Sequence, residues 1–125
     1  EMVLHEIAAR AITAVTSGLS IEAVGVGKAM HEDYLTPIEP RFSAEVAHAS
    51  VGMKRENANE IVKHLTSTYV DKIPNPPLGI KYQECFDVKT GKPSNKCLEI
   101  YNKAKKELED LGLPIEASVK RLEST

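Results

Sequence analysis

The densest group of side chains able to move protons or hold charge lies between Lys28 and Tyr34. In Gly27-Lys28-Ala29-Met30-His31-Glu32-Asp33-Tyr34-Leu35-Thr36, an amine, an imidazole, two carboxylates and a phenol occur within seven residues. Such groups can donate protons or orient a cationic substrate. They also suit an ordinary solvated loop, and the sequence alone leaves both readings open. Lys28, His31, Asp33 and Tyr34 are the candidate contact residues. Glu39 and Arg41 read equally as a helix cap and a structural ion pair or as part of a site.

Other chemistries fit less well. His5, His31, His48, His64, Cys85 and Cys97 show neither C-x-x-C nor H-x-x-x-H spacing, so no metal site is expected. Gly25-Val26-Gly27-Lys28 follows an apolar run but lacks the G-x-G-x-x-G spacing and the Lys-Ser/Thr pair of a phosphate loop. Its glycines fit close packing at the end of a strand. Cys97 falls on an apolar helical stripe and Cys85 on an irregular segment, so neither reads as a nucleophile. With no secretory marks, both thiols are expected to be reduced.

The elements that must position the loop are legible around it. Met2, Leu4, Ile7, Ala8, Ala11, Ile12 and Val15 repeat near a period of 3.6, and Gly18 stops that helix. Val3, Ala9 and Ala14 make the helix apolar on nearly all sides, as in a larger core. The chain is therefore expected to be the C-terminal part of a larger protein, or to bury this helix in an oligomer. Ile21 to Val26 reads as a short strand buried on both faces, with no partner in the chain. The loop at the C-terminal end of such a strand faces the active site in parallel α/β folds.

Thr36-Pro37-Ile38-Glu39 forms a capping box opening a helix that carries Phe42, Val46, Ala49 and Met53 on one face, and Gly52 ends it. Asn57 to Glu60 offers a second helix start, with Ala58, Ile61, Val62, Leu65 and Tyr69 as the stripe. Pro74, Pro76 and Pro77 force an extended arm. Along it Ile80, Tyr82, Phe86 and Val88 alternate as in a short edge strand, and Lys89 to Lys92 signals a turn. Ser94 opens a last clear helix with Cys97, Leu98, Tyr101, Ala104, Leu108 and Leu111 on its apolar stripe. Glu99 with Lys103 and Lys105 with Glu109 have the spacing of pairs on its wet face. The tail from Ile115 is expected to fray. Residues 1–73 thus group as helix, strand, loop and two helices, and residues 74–125 as an arm and helix extending the same domain.

The 125 residues are 42% hydrophobic and 27% charged with a net charge of −2, which suits a globular chain and leaves no footprint for nucleic acid or anionic membrane. No apolar run approaches the roughly 20 residues of a membrane span. No signal peptide is visible, and a cytoplasmic location is expected.

Longer stretches resemble the archaeal monomethylamine methyltransferases. They are Glu1 to Ala9 with Thr16-Ser17-Gly18, Thr36 to Phe42, Glu45 to Ala49, Gly52 to Lys63, Asn75 to Cys85, and the ending Ile100-Tyr101, Lys105 to Leu108 and Leu111 to Pro114. The likeness runs from Glu1 to about Ile115; Glu116 to Thr125 match nothing in the family pattern. It implies a (β/α)8 TIM barrel, usually a homo-oligomer, that transfers the methyl group of monomethylamine to the cobalt of a cognate corrinoid protein in methanogenesis. The family's pyrrolysine would lie upstream of these residues, so no catalytic residue carries over. The chain itself would bind no cofactor, the corrinoid (cobalamin) being carried by the partner. On this resemblance the segment is the last quarter of the barrel, mainly helical with one or two short strands, and the Gly27 to Thr36 loop lies at the barrel mouth where the corrinoid protein approaches. A non-catalytic helical interaction or oligomerisation domain is the alternative. A small hydrolase using His31 and Asp33 lacks a nucleophile.

Overall fold

The computed structural model describes residues 1–21 and 31–125. Among the described residues six α-helices follow in order: α1 (Met2–Thr16), α2 (Ile38–Ala49), α3 (Arg55–Ser67), α4 (Tyr82–Cys85), α5 (Asn95–Asp110) and α6 (Ile115–Glu123), with a 3-10 turn at Val70–Lys72. The expected strand at Ile21 to Val26 lies, apart from Ile21, outside the described residues.

Helix α1 is the centre of the packing. It lies against α2 and α3 and touches α5, while α6 covers α2. Leu4, His5, Ile7, Ala8, Ala9, Ala11 and Ile12 are all buried on it. An all-round apolar helix needs cover on every side, and this chain itself supplies much of it. The core joins α1 to Phe42 and Val46 of α2, Ile61 and Leu65 of α3, Tyr101 and Leu108 of α5, and Leu113 and Ile115.

Glycines end α1 and α5 by one device. Gly18 has φ +78°, and the Gly18 and Leu19 amides donate to Val15 and Ala14 carbonyls at 3.1 and 2.9 Å. Gly112 has φ +99°, and the Gly112 and Leu113 amides return to Glu109 and Leu108, each at 2.9 Å. These are Schellman closures, which satisfy the last carbonyls of a helix and require a left-handed residue. The second one turns the chain at Leu113-Pro114 directly into α6.

Helix starts follow the sequence in two cases. Glu39 accepts the Thr36 amide at 3.0 Å and also the Thr36 hydroxyl, and α2 begins at Ile38. Ser94 Oγ accepts the Cys97 amide at 3.3 Å at the head of α5. The start expected at Asn57 is corrected: α3 begins at Arg55 after an extended Lys54, with no side-chain cap.

Four further expectations are corrected. The segment Ile80 to Val88 forms no strand; Tyr82–Cys85 is a single helical turn, followed by an isolated antiparallel bridge between Phe86 and Pro93. Asp87 organises that reversal, its Oδ1 accepting the Lys89 and Thr90 amides at 2.8 Å each. The same reversal sets Cys85 beside Cys97, with Cα atoms 5.5 Å apart, and they are joined as a disulfide rather than standing as free thiols. The compartment argument had no access to this proximity. The tail does not fray: α6 buries Ile115 completely and Ser118 almost so. The pairs expected along α5 give way to tertiary partners, because Lys103 turns to Glu1 and Lys105 approaches Glu45.

Candidate functional site

The polar loop meets the arm. At Asp33 the backbone adopts φ +67°, a conformation that Asp tolerates better than most residues. Its carbonyl accepts the Tyr82 amide at 2.6 Å, at the head of α4. Lys81 Nζ stands 5.9 Å from the centre of the Tyr34 ring, a cation–π contact. The His31 and Tyr34 rings meet edge to face at 6.3 Å. His31 and Asp33 are exposed and Tyr34 half-buried. Three of the four candidate residues are therefore placed together on a loop tied to the arm; Lys28 lies outside the described residues.

Beside this loop opens a cleft of about 510 Å³. Met2, Val3 and Glu6 of α1 form one wall, and Tyr69, Ile73, Pro76, Pro77 and Leu78 form the other. His31 reaches its rim, whereas Asp33 and Tyr34 do not line it. The lining is largely apolar because Ile73, Pro76, Pro77 and Leu78 of the arm face Met2 and Val3 of α1 here. The cleft falls in the size range of small-ligand sites. Among the described residues, no three His, Cys, Asp or Glu side chains gather as a metal would need.

Two polar clusters are built on buried side chains that the sequence did not single out, Glu45 with Tyr101 and His5. In the first, Tyr101 donates its hydroxyl to Glu45 Oε2 at 2.5 Å, and Arg41 Nε donates to Glu45 Oε1 at 3.0 Å. Lys105 Nζ lies 3.8 Å from Glu45 Oε2. Arg41 and Lys105 both stand over the Tyr101 ring, at 5.7 and 5.2 Å from its centre. Burial, and then the Glu45 carboxylate, push the Tyr101 phenol above its ordinary value; the hydrogen bond to Glu45 raises Arg41. Arg41 is thus a structural partner of Glu45, and Glu39 is a cap.

In the second cluster, His5 on α1 has Nδ1 2.7 Å from Thr68 Oγ1 and Nε2 2.8 Å from Glu107 Oε2. Hydroxyl, imidazole and carboxylate stand in the order of a catalytic triad. The Thr68 hydroxyl, however, donates to the Leu65 carbonyl at 2.7 Å, so its hydrogen is committed to the end of α3. The cluster braces α1, α3 and α5, and no nucleophile–base pair results. In the sequence His5 is one of four polar residues, with Glu6, Arg10 and Thr13, on an otherwise apolar helix; it is the one the fold buries, and it finds partners there.

Among the described residues the site is a helical body with an apolar cleft, in which no nucleophile–base pair is assembled. The family model for monomethylamine methyltransferase MtmB matches residues 1–113, and the chain belongs to that family. It is 40% identical over 114 residues to monomethylamine methyltransferase MtmB1 of Methanosarcina acetivorans, and equally to MtmB1 of Methanosarcina barkeri. It is 39% identical to MtmB of Methanosarcina mazei. Each alignment covers 90% of this chain, and the chain spans 25% of the length of each relative. The crystal structure of the Methanosarcina barkeri monomethylamine methyltransferase superposes with a TM-score of 0.81 at 38% identity, over 89% of this chain and 24% of that one. Helix α6 begins beyond the residues the family model matches. None of the described helices is long and apolar enough to cross a membrane.

Proposed function

We propose that this chain is the C-terminal part of a methyltransferase that moves the methyl group of monomethylamine to the cobalt of a cognate corrinoid protein. In this proposal residues 1–73 are the last units of a (β/α)8 barrel, and 74–125 are an arm and helix extending it. The pyrrolysine-bearing part lies upstream, the enzyme is a cytoplasmic homo-oligomer, and the corrinoid belongs to the partner. The family match over residues 1–113 carries this reading.

The loop holding Lys28, His31, Asp33 and Tyr34 then sits at the barrel mouth and receives the corrinoid protein. In the full-length enzyme, Lys28→Ala, His31→Ala and Asp33→Ala combined should cut methyl transfer to the corrinoid protein at least about tenfold, a loss of about 1.4 kcal/mol in transition-state stabilisation. Thermal unfolding should fall only slightly, since His31 and Asp33 are exposed and the cost is the strain of alanine at the φ +67° of Asp33, about 1 kcal/mol. Turnover can be followed by the absorbance change of the cobalt as it is methylated. Wild-type turnover from the triple variant would remove the mouth-loop role. Methyl transfer by the isolated 125-residue chain would overturn the assignment of the chemistry to another segment.

A further inference from the structure

We propose that Cys85–Cys97 is a reversible redox site that takes a protein dithiol as reductant, and that its state sets how firmly the arm holds the polar loop. The pair joins two elements that are otherwise lightly tied. Cys85 ends α4 on the arm, and Cys97 lies in the first turn of α5. Among the described residues a small satellite cluster surrounds them, made of Phe86 with Ile38, Ile80 and Tyr82, and Ile38 joins it to the main core. A cavity of about 80 Å³ reaches both sulfur-bearing residues, with Gly79 and Ile80 of the arm in its wall. The adjoining run 74–79 has no regular structure and is exposed. Lifting this exposed strap opens a path to the disulfide.

The exchange balances as follows. A thiolate of the external dithiol attacks Cys85 Sγ, forming a mixed disulfide and breaking the Cys85–Cys97 bond. Cys97 leaves as a thiolate at the amino end of a 16-residue helix, where the peptide dipole favours negative charge, and then takes up a proton. The second thiol of the reductant attacks the mixed disulfide and releases Cys85. The pair gains two electrons and two protons, and the reductant becomes its own disulfide. Dithiol oxidation by a protein disulfide reverses each step.

The consequence runs through the residues just before Cys85. Tyr82 donates its amide to Asp33, and Lys81 stands over Tyr34. With the disulfide closed, α4 is fixed to α5 and these contacts hold residues 31–36 in place. With it open, α4 keeps only its bonds within the reversal, such as Ser94 N to Cys85 O at 2.7 Å. The 12-residue separation between the cysteines is then no longer closed covalently.

Thiol tagging and amide exchange on the full-length protein test this. Protein equilibrated with oxidised glutathione should take no maleimide at Cys85 or Cys97, and after treatment with thioredoxin should take one at each, read by peptide mass. Amide exchange at Tyr82 and across 31–36 should then speed up about tenfold, with the α1 core unchanged. The Cys85→Ser, Cys97→Ser double variant should show the fast exchange in either buffer. Full tagging in the oxidising buffer would overturn the site. Exchange at Tyr82 and 31–36 that ignores both reduction and the double variant would overturn its hold on the loop.

Discussion

Replacing Tyr101 by Phe removes one oxygen from the centre of the α2–α5 contact and nothing else. The ring keeps its edge contact with Phe42, 6.1 Å between centres, and stays beneath Arg41 and Lys105. Glu45, almost fully buried, loses the hydroxyl at 2.5 Å but keeps Arg41 at 3.0 Å. A hydrogen bond to a charged group contributes about 1.5–3 kcal/mol. With Arg41 retained, the lower part of that range applies, so Tyr101→Phe should cost about 2 kcal/mol in urea unfolding. That corresponds to roughly 6–10 °C in Tm for a domain of this size. Combined with Glu45→Gln, the double variant should cost less than the sum of the two single variants, because both changes break the same bond.

The pH dependence gives an independent check. Folding raises the Tyr101 phenol above its unfolded value of about 10, first by burial and then through Glu45. Its contribution to stability is whole below pH 10. As pH rises further, the unfolded chain releases this proton while the folded one keeps it, so stability falls by up to about 1.4 kcal/mol per pH unit. Tyr101→Phe removes that slope. The difference between wild type and variant should therefore shrink from pH 8 to pH 11. A cost below 0.5 kcal/mol at neutral pH, or a difference that does not change across that alkaline range, would refute the argument that this hydroxyl is protonated, buried and bonded to a carboxylate.

Changes at three further sites test the packing and a helix end. Ile115→Ala empties a fully buried position between α6 and the core and should cost about 3 kcal/mol in chemical denaturation, while Leu122→Ala, at a half-exposed site, should cost under about 0.5. Gly18→Ala meets no atom within 4 Å, so strain at φ +78° is its whole penalty; it should cost about 1 kcal/mol by the same measurement, and Gly18→Asn less.

Local periodicity carried the main helices. The residues from Met2 to Val15 and from Cys97 to Leu108 repeat as helices do, and the core takes Leu4 to Ile12 of the first and Tyr101, Ala104 and Leu108 of the second, whereas Leu98, expected on the stripe, is exposed and Cys97 packs in the small cluster beside Cys85. Glycine placed the ends, because Gly18 and Gly112 stand where a left-handed residue is required. The arm was harder. Ile80, Tyr82, Phe86 and Val88 alternate as a strand would, but a strand needs an edge to join; with none offered among the described residues, the segment closes on itself around Asp87. The tail from Ile115 looked weak because a nine-residue helix has little stability of its own. Its docking on α2 is a tertiary effect that no window of the sequence contains.

The polar residues divide more sharply. Those that stood out, His31 and Asp33, ended on the surface, while His5, Glu45 and Tyr101 ended in the core. Clustering in sequence drew attention to the first set. Burial of the second set depends on partners 56, 63 and 102 residues away, from Tyr101 to Glu45 and from His5 to Thr68 and Glu107. A polar side chain leaves water only when its partners are already assured, so its exposure is decided by the fold and not by its neighbours in the chain. His5 shows this on the most apolar helix of the chain. Glu6, Arg10 and Thr13 give α1 a polar face, with Arg10 and Thr13 exposed, and nothing between Met2 and Val15 separates His5 from them. His5 is buried because Thr68 and Glu107 meet its two ring nitrogens, and those contacts tie the end of α3 and the middle of α5 to α1.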